Sequence, residues 1–209
     1  MAGALPSPAL CLITDETRSL EDNERTIRAA LDAGCRWIQL RHRRIDARSL
    51  HDCAQRLRTL TLEYEATLIV NERVDIAVAV GADGAHLPAG GLSPAMARTL
   101  VGNDKLLGCS VHSSDEIQAL RNEAVDYFQF GPIFDTASKR AFGPPQGLDA
   151  LTRAVRAAAP LALAAVGGIT PHSIGDVLGA GATAISVIGA IHRASDVATQ
   201  TTRLLRAFD

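Results

Sequence analysis

Gly81-Ala82-Asp83-Gly84-Ala85-His86-Leu87 is the stretch on which the fold turns. It reads as a helix end, a turn of small residues and the start of a buried strand. Three other stretches follow the same order: Ala33-Gly34-Cys35-Arg36-Trp37-Ile38-Gln39-Leu40, Glu123-Ala124-Val125-Asp126-Tyr127-Phe128-Gln129-Phe130 and Gly181-Ala182-Thr183-Ala184-Ile185-Ser186-Val187. They recur at intervals of roughly 45–55 residues, about two βα units each. Four such double units make eight strands. The competing explanation is that any helix-to-strand turn draws on Gly and Ala.

Around these anchors, aliphatic runs alternate with amphipathic segments. The strand candidates are Ala9–Thr14, Trp37–Arg41, Thr67–Asn71, Ala85–Pro88, Leu106–Val111, Tyr127–Ile133, Leu161–Val166 and Ala184–Ile188. Helical spacing marks Ser49–Tyr64, Asp115–Glu123 behind the cap-like Ser113-Ser114, Leu148–Ala158 and Ala198–Phe208. Eight strand–helix units in 209 residues are the minimal size of a closed βα barrel. The expectation is therefore α/β: a (β/α)8 TIM barrel, one domain over residues 1–209. An open doubly wound sheet is the alternative, but the first strand runs into Thr14-Asp15-Glu16 without a GxGxxG turn.

Composition agrees. Apolar residues make up 47% and aromatics only 4%, so the core is expected to be built from Ala, Val, Leu and Ile. A net charge of -2 argues against a nucleic-acid partner. Met1 to Pro8 lack the pattern of a signal peptide, and no apolar run is long enough for a membrane helix. Cys11, Cys35, Cys53 and Cys109 are scattered and read as reduced, mostly buried thiols rather than a zinc site. A cytoplasmic protein, with no membrane partner and compatible with a homodimer, is expected.

In such a barrel, chemistry sits on the loops leaving the strand C-termini. After the seventh strand comes Val166-Gly167-Gly168-Ile169-Thr170-Pro171, and after the eighth Ile188-Gly189-Ala190-Ile191. Glycine lets backbone N–H groups approach phosphate oxygens, so these turns read as a phosphate grip; plain tight turns are the alternative. Gln39, Arg41 and Arg43 share strand parity, and an inward arginine needs an anion or a carboxylate. An anionic ligand group is expected, and a structural ion pair is the alternative. The long loop from Asp135 to Gly147 offers Thr136, Ser138 and Lys139 to a phosphate or acidic substrate. Ser110 and His112 end the fifth strand, and His112 is a candidate acid/base. Asn71 and Glu72 end the third, where Glu72 is a weak candidate for Mg2+. His86 is expected to be a packed, hydrogen-bonded barrel residue.

Together these residues resemble the thiamine phosphate synthase/TenI superfamily over nearly the whole chain, from Leu12-Ile13-Thr14-Asp15 to Ile191. The resemblance rests on Gln39-Leu40-Arg41, Ile69-Val70-Asn71-Glu72-Arg73-Val74-Asp75, Gly81 to Leu87, Gly131-Pro132-Ile133-Phe134-Asp135-Thr136-Ala137-Ser138-Lys139 and Val166-Gly167-Gly168-Ile169. It implies one of two activities. The synthase joins a hydroxymethylpyrimidine diphosphate to a thiazole phosphate and releases pyrophosphate, using Mg2+. The TenI-type enzyme is a metal-free thiazole tautomerase in which a histidine moves protons on a carboxythiazole phosphate.

Departures from the synthase pattern lie on one side of the site. Its Asn-Asp is Asn71-Glu72 here, and its His-Leu-Gly-Gln-x-Asp reads His86-Leu87-Pro88-Ala89-Gly90-Gly91, with Gly91 for the second metal-binding aspartate. Its lysine is Arg43, and its serine in the last phosphate loop is Gly189. The thiazole-phosphate half looks intact and the Mg2+–pyrophosphate half eroded. The resemblance thus favours the tautomerase, an isomerase needing no cofactor, with a small phosphorylated thiazole as substrate. His112 would be its acid/base. Gly167, Gly168, Ile188, Gly189 and Ala190 would hold the phosphate, and Gln39, Arg41 and Lys139 would orient the substrate. The synthase, with Mg2+, and a non-catalytic phosphate-binding regulator are the alternatives.

Overall fold

The strands are short because each spans only the barrel wall. In the computed structural model, which describes residues 4–136 and 144–209, they are β1 (Leu10–Ile13), β2 (Trp37–Leu40), β3 (Thr67–Asn71), β4 (Gly84–Leu87), β5 (Leu106–Val111), β6 (Tyr127–Phe130), β7 (Ala162–Val166) and β8 (Ala184–Val187). Every neighbouring pair is parallel, and β8 returns to pair with β1, so the sheet closes without an edge. The expected TIM barrel is the observed fold.

Helices follow each strand: α1 (Leu20–Asp32), α2 (Ala47–Glu63), α3 (Val74–Ala79), α4 (Pro94–Val101), α5 (Ser114–Leu120), α6 (Gly147–Ala158) and α7 (Ile174–Gly179). After β8 come a single turn, α8 (Gly189–His192), and the longer α9 (Val197–Leu205). Five begin on a side chain that accepts from an N–H three residues on: Ser19, Asp46, Ser93, Ser113 and Asp196. Proline at the first position of α4 adds a preset φ.

Two apolar layers result. The strand faces that point outward pack with the helices, for example Leu12, Ile38, Leu68, Val70, Leu107 and Phe128. The faces that point inward form a separate cluster of Cys11, Ile13, Trp37, Ile69, Leu106, Tyr127, Ala164 and Ala184. The core is mainly aliphatic, as expected, but its largest fully buried side chains are Trp37, Tyr127, Phe128 and Phe130. Gly108 makes room for one of them: a Cβ there would fall 2.1 Å from the Tyr127 ring. Trp37 meets that ring edge-on, with centroids 5.2 Å apart.

The repeat seen in the sequence has a physical basis. Helices α1, α3 and α7 leave through Gly34, Gly81 and Gly181 at φ +99°, +63° and +99°. Three of the four units then make a reciprocal pair at the strand entrance. The Asp83 N–H donates to the Leu68 carbonyl (2.9 Å), and its carboxylate accepts from the Leu68 N–H (2.8 Å). Asp126 does the same with Leu107 at 2.8 and 2.7 Å, and Thr183 with Leu163 at 3.1 and 3.0 Å. Arg58 from α2 and Arg98 from α4 each add a 2.7 Å ion pair to the aspartate. Arg36 breaks the pattern in the first unit, where its guanidinium donates to the Leu31 and Cys35 carbonyls.

Candidate active site

Strand parity aims one set of polar side chains into the upper barrel, forming a floor. Gln39 is 1% exposed; its amide N–H2 donates to Asn71 (3.2 Å), and its carbonyl accepts from Gln129 (3.4 Å) and the Cys11 thiol (3.9 Å). Gln129 also donates to Ser186 (2.7 Å). His86 is fully buried, with Nδ1 3.2 Å from the Tyr127 hydroxyl and Nε2 2.8 Å from the Ser110 hydroxyl. The expectation of a packed barrel histidine holds. Gln129, Ser186 and Tyr127 were not among the expected site residues. Their signal was available, because each sits on a strand at the inward parity of its neighbours.

One side of the rim is built from glycine turns. Gly167 has φ +104°, and a Cβ on it would come within 2.7 Å of the Pro132 Cα. Gly168 has φ +68° and is equally close-packed, 2.8 Å from Phe134 Cβ. The turn is tied to the loop after β6: Ile133 N–H donates to the Val166 carbonyl and Phe134 N–H to the Gly167 carbonyl, both at 3.0 Å. Across β8, Ile188 caps α8, whose first residues are Gly189 and Ala190. Among the described residues no turn or loop carbonyl accepts the N–H groups of Gly167, Gly168, Gly189 or Ala190. Four donors around one rim are chemically suited to phosphate oxygens. Arg193 runs back along α8 so that its guanidinium lies over Gly189, 2.1 Å from where a Cβ would stand.

The neighbouring part of the rim, after β1 and β2, is cationic. Arg41 and Arg43 lie beyond the end of β2, in a loop, so the strand alternation expected to carry them inward stops at Leu40. Both meet a carboxylate of this chain rather than waiting for a ligand: Glu16, in the β1–α1 turn, lies 3.4 Å from Arg41 and 3.0 Å from Arg43. The structural ion pair, the alternative, is what forms. Hydrogen bonds from Arg43 pull the Glu16 carboxyl down to about 2, against burial, and the Arg41 charge adds to the effect. Burial pushes the Arg41 guanidinium down. The Thr14 hydroxyl accepts from the Arg41 backbone N–H and donates to its carbonyl, both at 2.8 Å.

Glu72 stands next to Asn71 with φ +66°, close enough to act electrostatically on both arginines. It is not the first-turn helix glutamate of the simplest reading, since α3 starts only at Val74 with Arg73 as its cap. Among the described residues no group of three or more His, Cys, Asp or Glu could hold a metal. Gly91 adds no donor side chain. One carboxylate fits Mg2+ that arrives on a diphosphate and keeps its waters, and does not make a resident metal cage.

His112 lies just past β5. Its backbone N–H donates to Glu116 (2.7 Å) and its Nδ1–H to the Gly131 carbonyl (2.6 Å). A carbonyl can only accept, so Nδ1 carries a proton. Thr136 is among the described residues of its loop; Ser138 and Lys139 lie outside them. All four cysteines are free and buried, as expected. Burial raises Cys53 to about 11 and Cys109 to about 12. No helix among the described residues is long and apolar enough to cross a membrane.

Comparison with known proteins bears on the choice of reaction. Residues 10–191 match the family model described as thiamine monophosphate synthase. A thiamine-phosphate synthase of Moorella thermoacetica is 43% identical over 178 residues, 85% of this chain and 84% of the relative. One of Chloroflexus aurantiacus is 42% identical over 200 residues, 95% and 91% of the two chains. Among solved structures, a thiamine phosphate pyrophosphorylase from Pyrococcus furiosus superposes with a TM-score of 0.85 at 31% identity, covering 96% of this chain and 95% of that one. These relatives overturn the expected isomerase. At about 40% identity they are called synthases, although Gly91 and Arg43 depart from the synthase pattern. Matched along almost its whole length by that model and by these relatives, the chain belongs to the thiamine monophosphate synthase family.

Proposed function

We propose that this protein is a thiamine-phosphate synthase, joining a hydroxymethylpyrimidine diphosphate to a thiazole phosphate with release of pyrophosphate. The observation that carries the reading is that the rim offers two kinds of anion partner above one polar floor, on neighbouring strands of the closed barrel. Gly167, Gly168, Gly189 and Ala190 would receive a phosphate after β7 and β8, and Arg41 and Arg43 stand after β2. A condensation of two phosphorylated partners uses both, and relatives at about 40% identity called synthases support it over a reaction on one carboxythiazole phosphate, which also carries two anionic groups.

In the reaction the bond between the pyrimidine methylene carbon and the diphosphate oxygen breaks, and the electron pair leaves with the oxygen. The thiazole nitrogen lone pair forms the new C–N bond. The glycine turns hold the thiazole phosphate by backbone N–H groups, so its ring nitrogen is presented in a fixed place. Gln39, Asn71 and Ser110 offer an amide and hydroxyl surface to the pyrimidine. Arg41 and Arg43 stabilise charge as it builds on the leaving diphosphate. Mg2+ carried on the diphosphate and met by Glu72 would supply further charge neutralisation.

The test is direct. Both substrates are incubated with the protein and Mg2+, and thiamine phosphate and pyrophosphate are quantified. Equal amounts of the two products are expected, with turnover falling when Mg2+ is chelated. Binding of both substrates without any product would sink the synthase and leave a phosphate-binding regulator.

A further inference from the structure

Glu16 belongs to no motif that the sequence singles out, yet it organises the cationic side of the rim. Its side chain is only 12% exposed. One oxygen accepts from Arg43 NH2 at 3.0 Å; the other accepts from the Arg43 backbone N–H and Nε, each at 3.3 Å, and lies 3.4 Å from Arg41 NH1. A single carboxylate therefore grips one edge of Arg43 in a fork and touches one nitrogen of Arg41. A guanidinium has five N–H donors in a rigid plane. The fork occupies two on Arg43, and a single nitrogen of Arg41 is engaged. Among the described residues the rest of both groups makes no hydrogen bond or ion pair.

Two guanidinium groups side by side repel, and each is free to swing on a long side chain. A shared counter-charge removes both problems. We propose that Glu16 is a positioning residue that holds Arg41 and Arg43 together by one edge, so that their remaining N–H groups receive the diphosphate as a preformed pair. This rests on the synthase reading for the identity of the substrate. The clamp takes the place of geometry that the lysine of the family pattern would not need: a point charge requires no orientation, whereas the planar Arg43 does.

The test uses the whole chain with Glu16→Ala, Glu16→Gln and Glu16→Asp. Inorganic pyrophosphate is titrated into each by calorimetry, and KM is measured for both substrates. For Glu16→Ala, pyrophosphate affinity is expected to fall roughly tenfold, the worth of one charge-assisted contact, with a matching rise in KM for the diphosphate. KM for the thiazole phosphate should stay within about twofold, because the glycine turns do not involve Glu16. Glu16→Gln keeps the shape without the charge and should also weaken pyrophosphate; it serves if the alanine variant folds poorly. Glu16→Asp should recover part of the affinity. Unchanged or tighter pyrophosphate binding in Glu16→Ala and Glu16→Gln would overturn the proposal, since Glu16 would then be idle or a competitor of the anion. So would an equal rise in both KM values, which marks general loosening. A wild type that binds pyrophosphate but makes no thiamine phosphate would refute the synthase reading, while the Glu16 comparison still decides the clamp.

Discussion

Two glycines at the phosphate side of the rim do different work. Gly167 sits at φ +104° against the Pro132 backbone, so an added methyl meets both a disfavoured conformation and a wall that cannot move. Gly189 has neither problem; a side chain there meets the end of the flexible Arg193. Gly167→Ala should therefore destabilise the fold by about 1–3 kcal/mol. Gly189→Ser should change stability by less than about 0.5 kcal/mol while displacing the guanidinium. Thermal unfolding of the two variants checks this, and equal losses would contradict it. The Gly189→Ser variant also restores the hydroxyl found in the family pattern, so its KM for thiazole phosphate reports whether Arg193 or the serine serves that turn better.

Element boundaries were largely legible because a barrel strand carries its pattern on both faces. Five of the eight strand ranges were overrun at their C-termini: β1, β2, β4 and β8 each stop a residue early, and β6 stops at Phe130 rather than Ile133. The overrun arises because alternation in the sequence continues past the last residue of the ladder, and nothing in side-chain type marks where the pairing stops. That is also why Arg41 and Arg43 seemed to face inward. Helices α2, α5, α6 and α9 announced themselves by periodicity. The six-residue α3 and α7 are too short to show a repeat, and α1 is masked by its many charges. At the site, residues on strands were readable by parity, as Gln39 and Asn71 were. Glu16 was not, because its partners Arg41 and Arg43 lie 25 and 27 residues away and meet it only when β1 and β2 close side by side. The strand-entrance pairs make a prediction of their own. Asp126→Ala strands the Leu107 N–H and removes the carboxylate paired with the Arg98 guanidinium, which is 12% exposed and keeps only its carbonyl partners at Gly102, Lys105 and Ala124. A loss of about 2–4 kcal/mol in urea unfolding is expected, with Asp126→Asn losing less because it keeps an acceptor. A loss below about 1 kcal/mol for the alanine variant would show that the pair is ornamental to stability.

Across the whole molecule, the double-unit repeat divides labour between the two ends of the barrel. Its glycine exits and reciprocal pairs lie at the strand entrances, where they fix the wall. The strand exits carry unlike loops, one side cationic and one side glycine-rich, which is where a shared scaffold can acquire a particular chemistry. Closure also places the chain's only tryptophan in an unusual setting. Trp37 is fully buried against Tyr127, and its indole N–H has no hydrogen-bond partner among the described residues. Such an indole should emit well to the blue of one in water, and its emission should shift to the red only when the inner layer is wetted. If the barrel opens as one unit, the fluorescence shift will coincide with loss of helical circular dichroism along a denaturant series. If two double units can persist as a half-barrel, the colour of Trp37 will change first, with the helices still in place.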